Sequence, residues 1–258
     1  WCNAPASCRR TVLITFDDGY LDNFKNAWPA LKKRDMPAVL YLATGYVDGA
    51  HHFFWDYVAD AFRTSVVTSG ELPHIGVRQW PGDTSRNAVV REVLDDLKSR
   101  PWNDLESSLG QLAVVLKVKP RGRAPQGLMC SWQQLGELDK GGFAIEPHTV
   151  THPILTRISI DEARQEIEHS RQEIKQRLDK QPVSFAYPNG LRSDYSEPLQ
   201  MLVKQLDLET SFIAEGGSTT MREIRKRPHA VRRICVTFKD DVPRLAAKLA
   251  TISRYAGN

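Results

Sequence analysis

Apolar and polar positions alternate along this chain in two rhythms. The first segment, Thr11-Val-Leu-Ile-Thr-Phe16, is short, β-branched and nearly all apolar, the pattern of a strand buried on both faces. It stops at Asp17-Asp18-Gly19, and a helical pattern follows with Leu21, Phe24, Trp28 and Leu31 on one face. Lys32, Lys33 and Arg34 close that pattern, where cations suit the negative end of a helix, and Pro29 inside it predicts a kink. Ala38–Ala43 then reads as a second buried strand, giving a strand–helix–strand unit and hence a parallel sheet.

From Thr44 to Gly127 the rhythm breaks. Helical patterns at Trp55–Phe62, Asn87–Leu97 and Leu105–Leu116 are separated by loops such as Leu72–Gly76 and Lys117–Pro125. The α/β alternation resumes with a strand at Phe143–Ile145. A helix over Ile160–Leu178 follows, opened by the capping box Ser159/Glu162 and carrying the stripe Ala163, Ile167, Ile174 and Leu178. Strands are predicted at Val183–Tyr187, Ser211–Ala214 and Ile234–Phe238, and a closing helix over Asp240–Ile252. Repeats and low-complexity tracts are absent.

Composition narrows the class without naming a function. With 258 residues, 41% apolar and 26% charged, the chain can bury a full core, which excludes disorder, a fibre and a disulfide scaffold. No apolar run approaches the roughly 18–20 residues a membrane helix needs. The net charge of +4 is mild, and the cations lack aromatic interleaving or a nucleic-acid-binding motif, so no nucleic-acid partner is expected. The four Cys form no C-x-x-C pair; free thiols are the expectation, with a Cys2–Cys8 disulfide as the alternative. The start at Trp1 rather than Met is what removal of a leader would leave.

Three polar clusters follow the C-terminal ends of predicted buried strands: Asp17-Asp18, His148 with His152, and Tyr187-Pro-Asn-Gly190. In α/β barrels active sites are built at that end of the strands. The i, i+4 spacing of the histidines puts both imidazoles on one side of a helical turn, as zinc sites use. Two His and one carboxylate leave a coordination position open for an activated water. One aspartate would then bind the metal while the other stays free to accept a proton.

Thr15-Phe-Asp-Asp-Gly19, His148-Thr-Val-Thr-His-Pro153 and Phe185-Ala-Tyr-Pro-Asn-Gly190 together resemble, in order, the first three motifs of the polysaccharide deacetylases, the NodB-homology or carbohydrate esterase family 4 enzymes. The resemblance runs from about Thr11 to Phe238. It implies an α/β fold, an irregular (β/α)7-type barrel, with a long, mostly helical insertion (residues 44–127) between the first two metal-site motifs, all within a single domain over residues 1–258. It also implies that Asp17 is the general base and that Asp18, His148 and His152 hold Zn2+, or another divalent ion such as Co2+ or Ni2+. The Asn189 backbone N–H would be the oxyanion donor. The reaction implied is hydrolysis of an N-acetyl group on a sugar, with an N-acetylated glycan or a lipid-linked sugar as the partner, at the inner face of a bacterial envelope or beyond it. Alternatives on the same site are a non-sugar amide or imide and an O-acetyl ester. A catalytically silent carbohydrate-binding module is the alternative of another class.

Departures from the family pattern mark further expectations. Glu146-Pro147 replaces a Gly and a small or polar residue before the histidines, where it would tilt the loop or add a carboxylate near the metal. Ala186 stands where many members carry an Arg that orients the base, and Asn189 replaces an aromatic residue. The late Leu-x-x-His that supplies a general acid is missing, leaving His229 as the candidate acid. Tyr187, Pro188, Trp55 and Arg233 are candidate substrate contacts. Trp55, with Phe53 and Phe54, would stack on sugar rings. Arg233 belongs to a cationic run, Arg222–Arg233, read as a solvated loop or as an attraction for an acidic glycan or a diphosphate. His51 and His52 beside Asp48 and Asp56 are read as a surface loop or lid contact ahead of a second metal cluster.

Overall fold

The structure is a computed structural model that describes residues 12–250. Trp1, Cys2 and Cys8, the first residue of the expected opening strand (Thr11) and the end of the expected closing helix (Ile252) lie outside the described residues. The chain forms two compact units, one from residues 1–44 and 132–258, the other from residues 45–131.

In the first unit the chain opens with β1 (Ile14–Asp18), continues into a helical segment whose last turns are α1 (Trp28–Lys32), and returns through β2 (Ala38–Leu42). Pro29 cannot donate a backbone hydrogen bond, and the helix accommodates it with a π-turn over Asn23–Ala27 just upstream. β1 is half-buried throughout, unlike the expected strand buried on both faces, because among the described residues it sits at the edge of its sheet and pairs with β2 alone.

The second unit holds α2 (Phe54–Thr64), an antiparallel hairpin of β3 (Ser69–Leu72) and β4 (Gly76–Gln79), α3 (Asp83–Ser99) and α4 (Leu105–Leu116). Its own core includes Phe62, Trp80, Leu109 and Leu112. The stretch Leu72–Gly76, expected to be a simple loop, is the tip of that hairpin, and the Trp80 indole N–H donates to the Val67 carbonyl at its base.

The first unit resumes with α5 (Trp132–Lys140), β5 (Phe143–Pro147), α6 (Ile160–Leu178), β6 (Ser184–Ala186), α7 (Glu197–Gln205), β7 (Thr210–Ile213), α8 (Met221–Lys226), β8 (Val231–Arg232) and α9 (Val242–Leu249). The Ser159/Glu162 capping box forms as expected, and Ala163, Ile167 and Ile174 are fully buried. Six strands make two parallel three-stranded sheets, β1-β2-β5 and β6-β7-β8. Where the sheets meet, the Glu146 carboxylate of β5 accepts the Val183 and Ser184 N–H groups at 2.9 and 2.7 Å, and the Tyr41 and Ser184 hydroxyls are hydrogen-bonded. A side chain thus supplies the acceptors that a strand ladder would have supplied.

The strand expected at Ile234–Phe238 is displaced to β8. Asp240 accepts the Thr237 N–H at 2.7 Å and closes a turn, removing that donor from any ladder, and Phe238 is 94% exposed. Cys130 is buried and Cys235 is exposed. Among the described residues no helix is long and apolar enough to cross a membrane.

Candidate active site

The parallel register sets the site. Asp17 of β1 pairs with Tyr41 of β2 and Tyr41 with Glu146 of β5, so these three polar side chains form one row across the sheet, one residue before the strand ends. The next residue, Asp18, has φ +74° and Gly19 has φ +96°, a reversal that a side chain at position 19 would obstruct: a Cβ there would lie 2.5 Å from Leu42 Cδ1. β5 ends at Pro147, immediately before His148, and β6 at Ala186, immediately before the Tyr-Pro-Asn-Gly turn. All three polar clusters therefore lie at or just past C-terminal strand ends.

Asp18, His148 and His152 converge. Asp18 Oδ1 lies 3.7 Å from His148 Nε2 and 3.4 Å from His152 Nε2, and one potential ligand atom from each residue falls within 4.8 Å of the others. Among the described residues this is the group that could hold a metal ion. The donor chemistry fits. His148 Nδ1 lies 2.7 Å from the Ala186 carbonyl, which can only accept, so Nδ1 carries the proton and Nε2 presents its lone pair to the cluster. Zinc bonds of about 2.0–2.1 Å in a tetrahedron place ligand atoms about 3.3–3.4 Å apart, close to the spacings found. Burial pushes His148 toward its neutral form, the state a metal ligand needs.

Asp17 lies beside this group. Its Oδ2 is 4.0 Å from His148 Nε2, and both carboxylate oxygens accept hydrogen bonds of 2.7 Å from Arg233. Burial works against its charge, but the positive charges of His148, when protonated, and of Arg233 outweigh burial and hold the carboxyl below its usual range. Arg233 lowers the Asp17 pKa both by its charge and by its hydrogen bonds. The guanidinium also lies over the Tyr41 ring, 5.7 Å from its centre. Arg233 reaches Asp17 from just past the end of β8, a relation that nothing in sequence spacing reveals. Arg232 pairs with Glu223, so two cations of the run 222–233 are engaged in ion pairs.

In the third motif, Asn189 has φ +56° and its N–H donates to no acceptor among the described residues. Gly190 has φ +66°, and a Cβ there would lie 2.8 Å from the Ala214 nitrogen. The Tyr187 side chain is fully buried, with its hydroxyl bonded to the His229 carbonyl and to Ser211, and Pro188 is also buried. The half-buried His229 ring has a buried Nδ1 without a hydrogen-bond partner, and burial and the charge of Lys204 lower its pKa.

In the second unit Phe53 and Phe54 are buried, and half-buried Trp55 stacks on Phe53 with centroids 4.3 Å apart. His52 is buried with its Nε2 3.8 Å from Asp60 rather than exposed in a surface loop. Glu146 turns to the sheet seam and not to the cluster, and burial raises its pKa to about 7. Sequence reasoning did not single out Glu166, whose carboxylate holds the loop between the two histidines.

Residues 5–211 match the model of the polysaccharide deacetylase family. The chain belongs to that family. A curated relative, "Putative polysaccharide deacetylase YxkH" of Bacillus subtilis (strain 168), is 46% identical over 67 residues, 26% of this chain and 24% of that protein. The match thus spans about a quarter of the relative's length. Among solved structures, the Streptococcus pyogenes deacetylase PplD in complex with acetate has a TM-score of 0.59 at 16% identity, covering 96% of this chain and 74% of that one. IcaB from Ammonifex degensii gives 0.54 at 18% identity, covering 92% and 72%. A de-N-acetylase from Aggregatibacter actinomycetemcomitans gives 0.55 at 14% identity, covering 95% and 76%. At these identities the likeness establishes the fold, which is that of the NodB-type deacetylases.

Proposed function

We propose that this polysaccharide deacetylase family member is a metal-dependent hydrolase that removes N-acetyl groups from a carbohydrate, either a polysaccharide or a lipid-linked glycan precursor, releasing acetate. The observation that carries this reading is the pairing of a three-ligand cluster, Asp18, His148 and His152, with a second carboxylate, Asp17, that is held ionised beside it. A purely carbohydrate-binding role needs no such free base. The names of the neighbours, a de-N-acetylase and a deacetylase crystallised with acetate, point the same way.

Asp18 and the two histidines would hold the ion, with Zn2+ best suited to two imidazoles and a carboxylate and Co2+ or Ni2+ as substitutes. A divalent cation in such a site supplies Lewis acidity toward an acyl oxygen and lowers the pKa of water. Asp17 accepts the proton of the attacking water, and Arg233 fixes both of its oxygens so that the basic lone pair faces the cluster. The Asn189 N–H donates to the negative charge that develops on the acyl oxygen. His148 is kept in one tautomer by Ala186. Residues 44–127, the helical insertion expected within a single deacetylase domain, are the proposed place of substrate selectivity.

The test is acetate release from a panel of N-acetylated glycans and lipid- or nucleotide-linked sugars. Asp17→Asn should retain stoichiometric metal while losing at least about 100-fold in turnover. Protein that neither carries nor rebinds a divalent ion, or Asp17→Asn with unchanged turnover, contradicts the proposal.

A further inference from the structure

The loop that carries both histidines has an unusual backbone. Thr149 and His152 are both left-handed, at φ +70° and +59°, although neither is glycine. Such conformations persist only where surrounding contacts impose them. The backbone N–H groups of residues 148, 150, 151 and 152 all have acceptors. His148 donates to Leu42 at the end of β2, and Thr44 donates back to the Thr149 carbonyl. The His152 N–H donates to Thr149 Oγ1 at 3.0 Å. The Val150 and Thr151 N–H groups both donate to Glu166 Oε2 at 2.8 Å, and the Thr151 hydroxyl donates to Glu166 Oε1 at 2.7 Å.

Glu166 projects from α6 between the buried positions Ala163 and Ile167, on a helix fixed at its start by the capping box. One rigidly based carboxylate therefore meets three donors of the three-residue loop between the two histidines. Without it, two adjacent amides would lose this acceptor, and the reversal that turns His152 Nε2 toward Asp18 would lose a tether.

We infer that Glu166 is a positioning residue for the metal site: it pre-sets the His148–His152 loop so that His152 faces Asp18 before any ion binds. This rests on the proposed reading of Asp18, His148 and His152 as ligands. Partners one shell out from metal ligands commonly change affinity about 10–100-fold when removed. The effect here is assigned to hydrogen bonding and not to charge. Gln at this position can accept both amides through its carbonyl and donate its amide N–H to the Thr151 oxygen.

The experiment measures Zn2+ affinity by chelator competition for wild type, Glu166→Ala and Glu166→Gln, with amide hydrogen exchange recorded on each metal-free protein. Glu166→Ala should weaken binding at least about tenfold, while Glu166→Gln stays within about threefold of wild type. Exchange at Val150, Thr151 and His152 should accelerate in Glu166→Ala while the β2 and β5 amides keep their protection. The inference is overturned if Glu166→Ala binds like wild type, if both variants weaken equally, or if exchange rises evenly through the fold. Failure of the wild type to bind Zn2+ would overturn the ligand assignment instead. The exchange arm reads the loop tether in either case.

Discussion

Replacing Glu146 separates two roles that a buried carboxylate can have. Its Oε2 accepts two backbone N–H groups at the junction of the two sheets, Val183 at 2.9 Å and Ser184 at 2.7 Å. Glu146→Ala orphans both donors, each at about 1–3 kcal/mol when buried, so the variant should lose about 2–6 kcal/mol. For a domain of this size that lowers Tm by roughly 5–15 °C. Glu146→Gln keeps a carbonyl acceptor and should behave differently with pH. Burial raises the Glu146 pKa from 4.5 to about 7. Between those values the folded protein holds a proton that the unfolded chain has released. The stability from Glu146 is therefore complete below the unfolded pKa and declines as pH rises through the folded one. The whole span corresponds to about 3 kcal/mol at most. Gln imitates the protonated acid, so it should match wild type near about pH 5 and exceed it near about pH 8. Thermal and urea unfolding of the chelator-treated proteins measures both differences, and comparing the two proteins cancels the opposing contribution of the histidines. A wild-type-to-Gln difference that stays flat across this range would refute the argument, as would an Ala variant as stable as the Gln variant.

Further outcomes follow from the same geometry. Arg233→Met removes a cation that lowers the Asp17 pKa, so the acid limb of kcat/KM should move to higher pH and turnover should fall while metal content is kept; an unmoved limb would separate Arg233 from the base. Gly190→Ala places a Cβ 2.8 Å from the Ala214 nitrogen at a φ of +66°, and should cost about 1–3 kcal/mol in urea unfolding and slow acetate release. Wild-type unfolding and rate in that variant would show that the third motif tolerates a side chain there.

The elements most legible in the sequence were those written in local terms. The capped helix with Ser159, Ala163, Ile167 and Ile174 needs only its own periodicity and cap to be recognised, and it forms as read. The polar clusters at strand ends were legible for a related reason: a buried apolar run that stops at carboxylates or histidines marks where backbone leaves the core. The hairpin around Leu72–Gly76 and the turn at Thr237–Asp240 escaped, since short segments take their state from their hydrogen-bond partners.

By itself the sequence identified the family, through three motifs that stand in that family's order, and through that resemblance it named Asp18, His148 and His152, which the structure brings together. Only the tertiary structure decided what surrounds them. Arg233 reaches Asp17 across 216 positions, Glu166 reaches Thr151 across 15, and Glu146 turns away from the histidines to join the two sheets. Such choices depend on which donors the packed backbone leaves without an acceptor, and that inventory exists only once the strands and helices have been brought together.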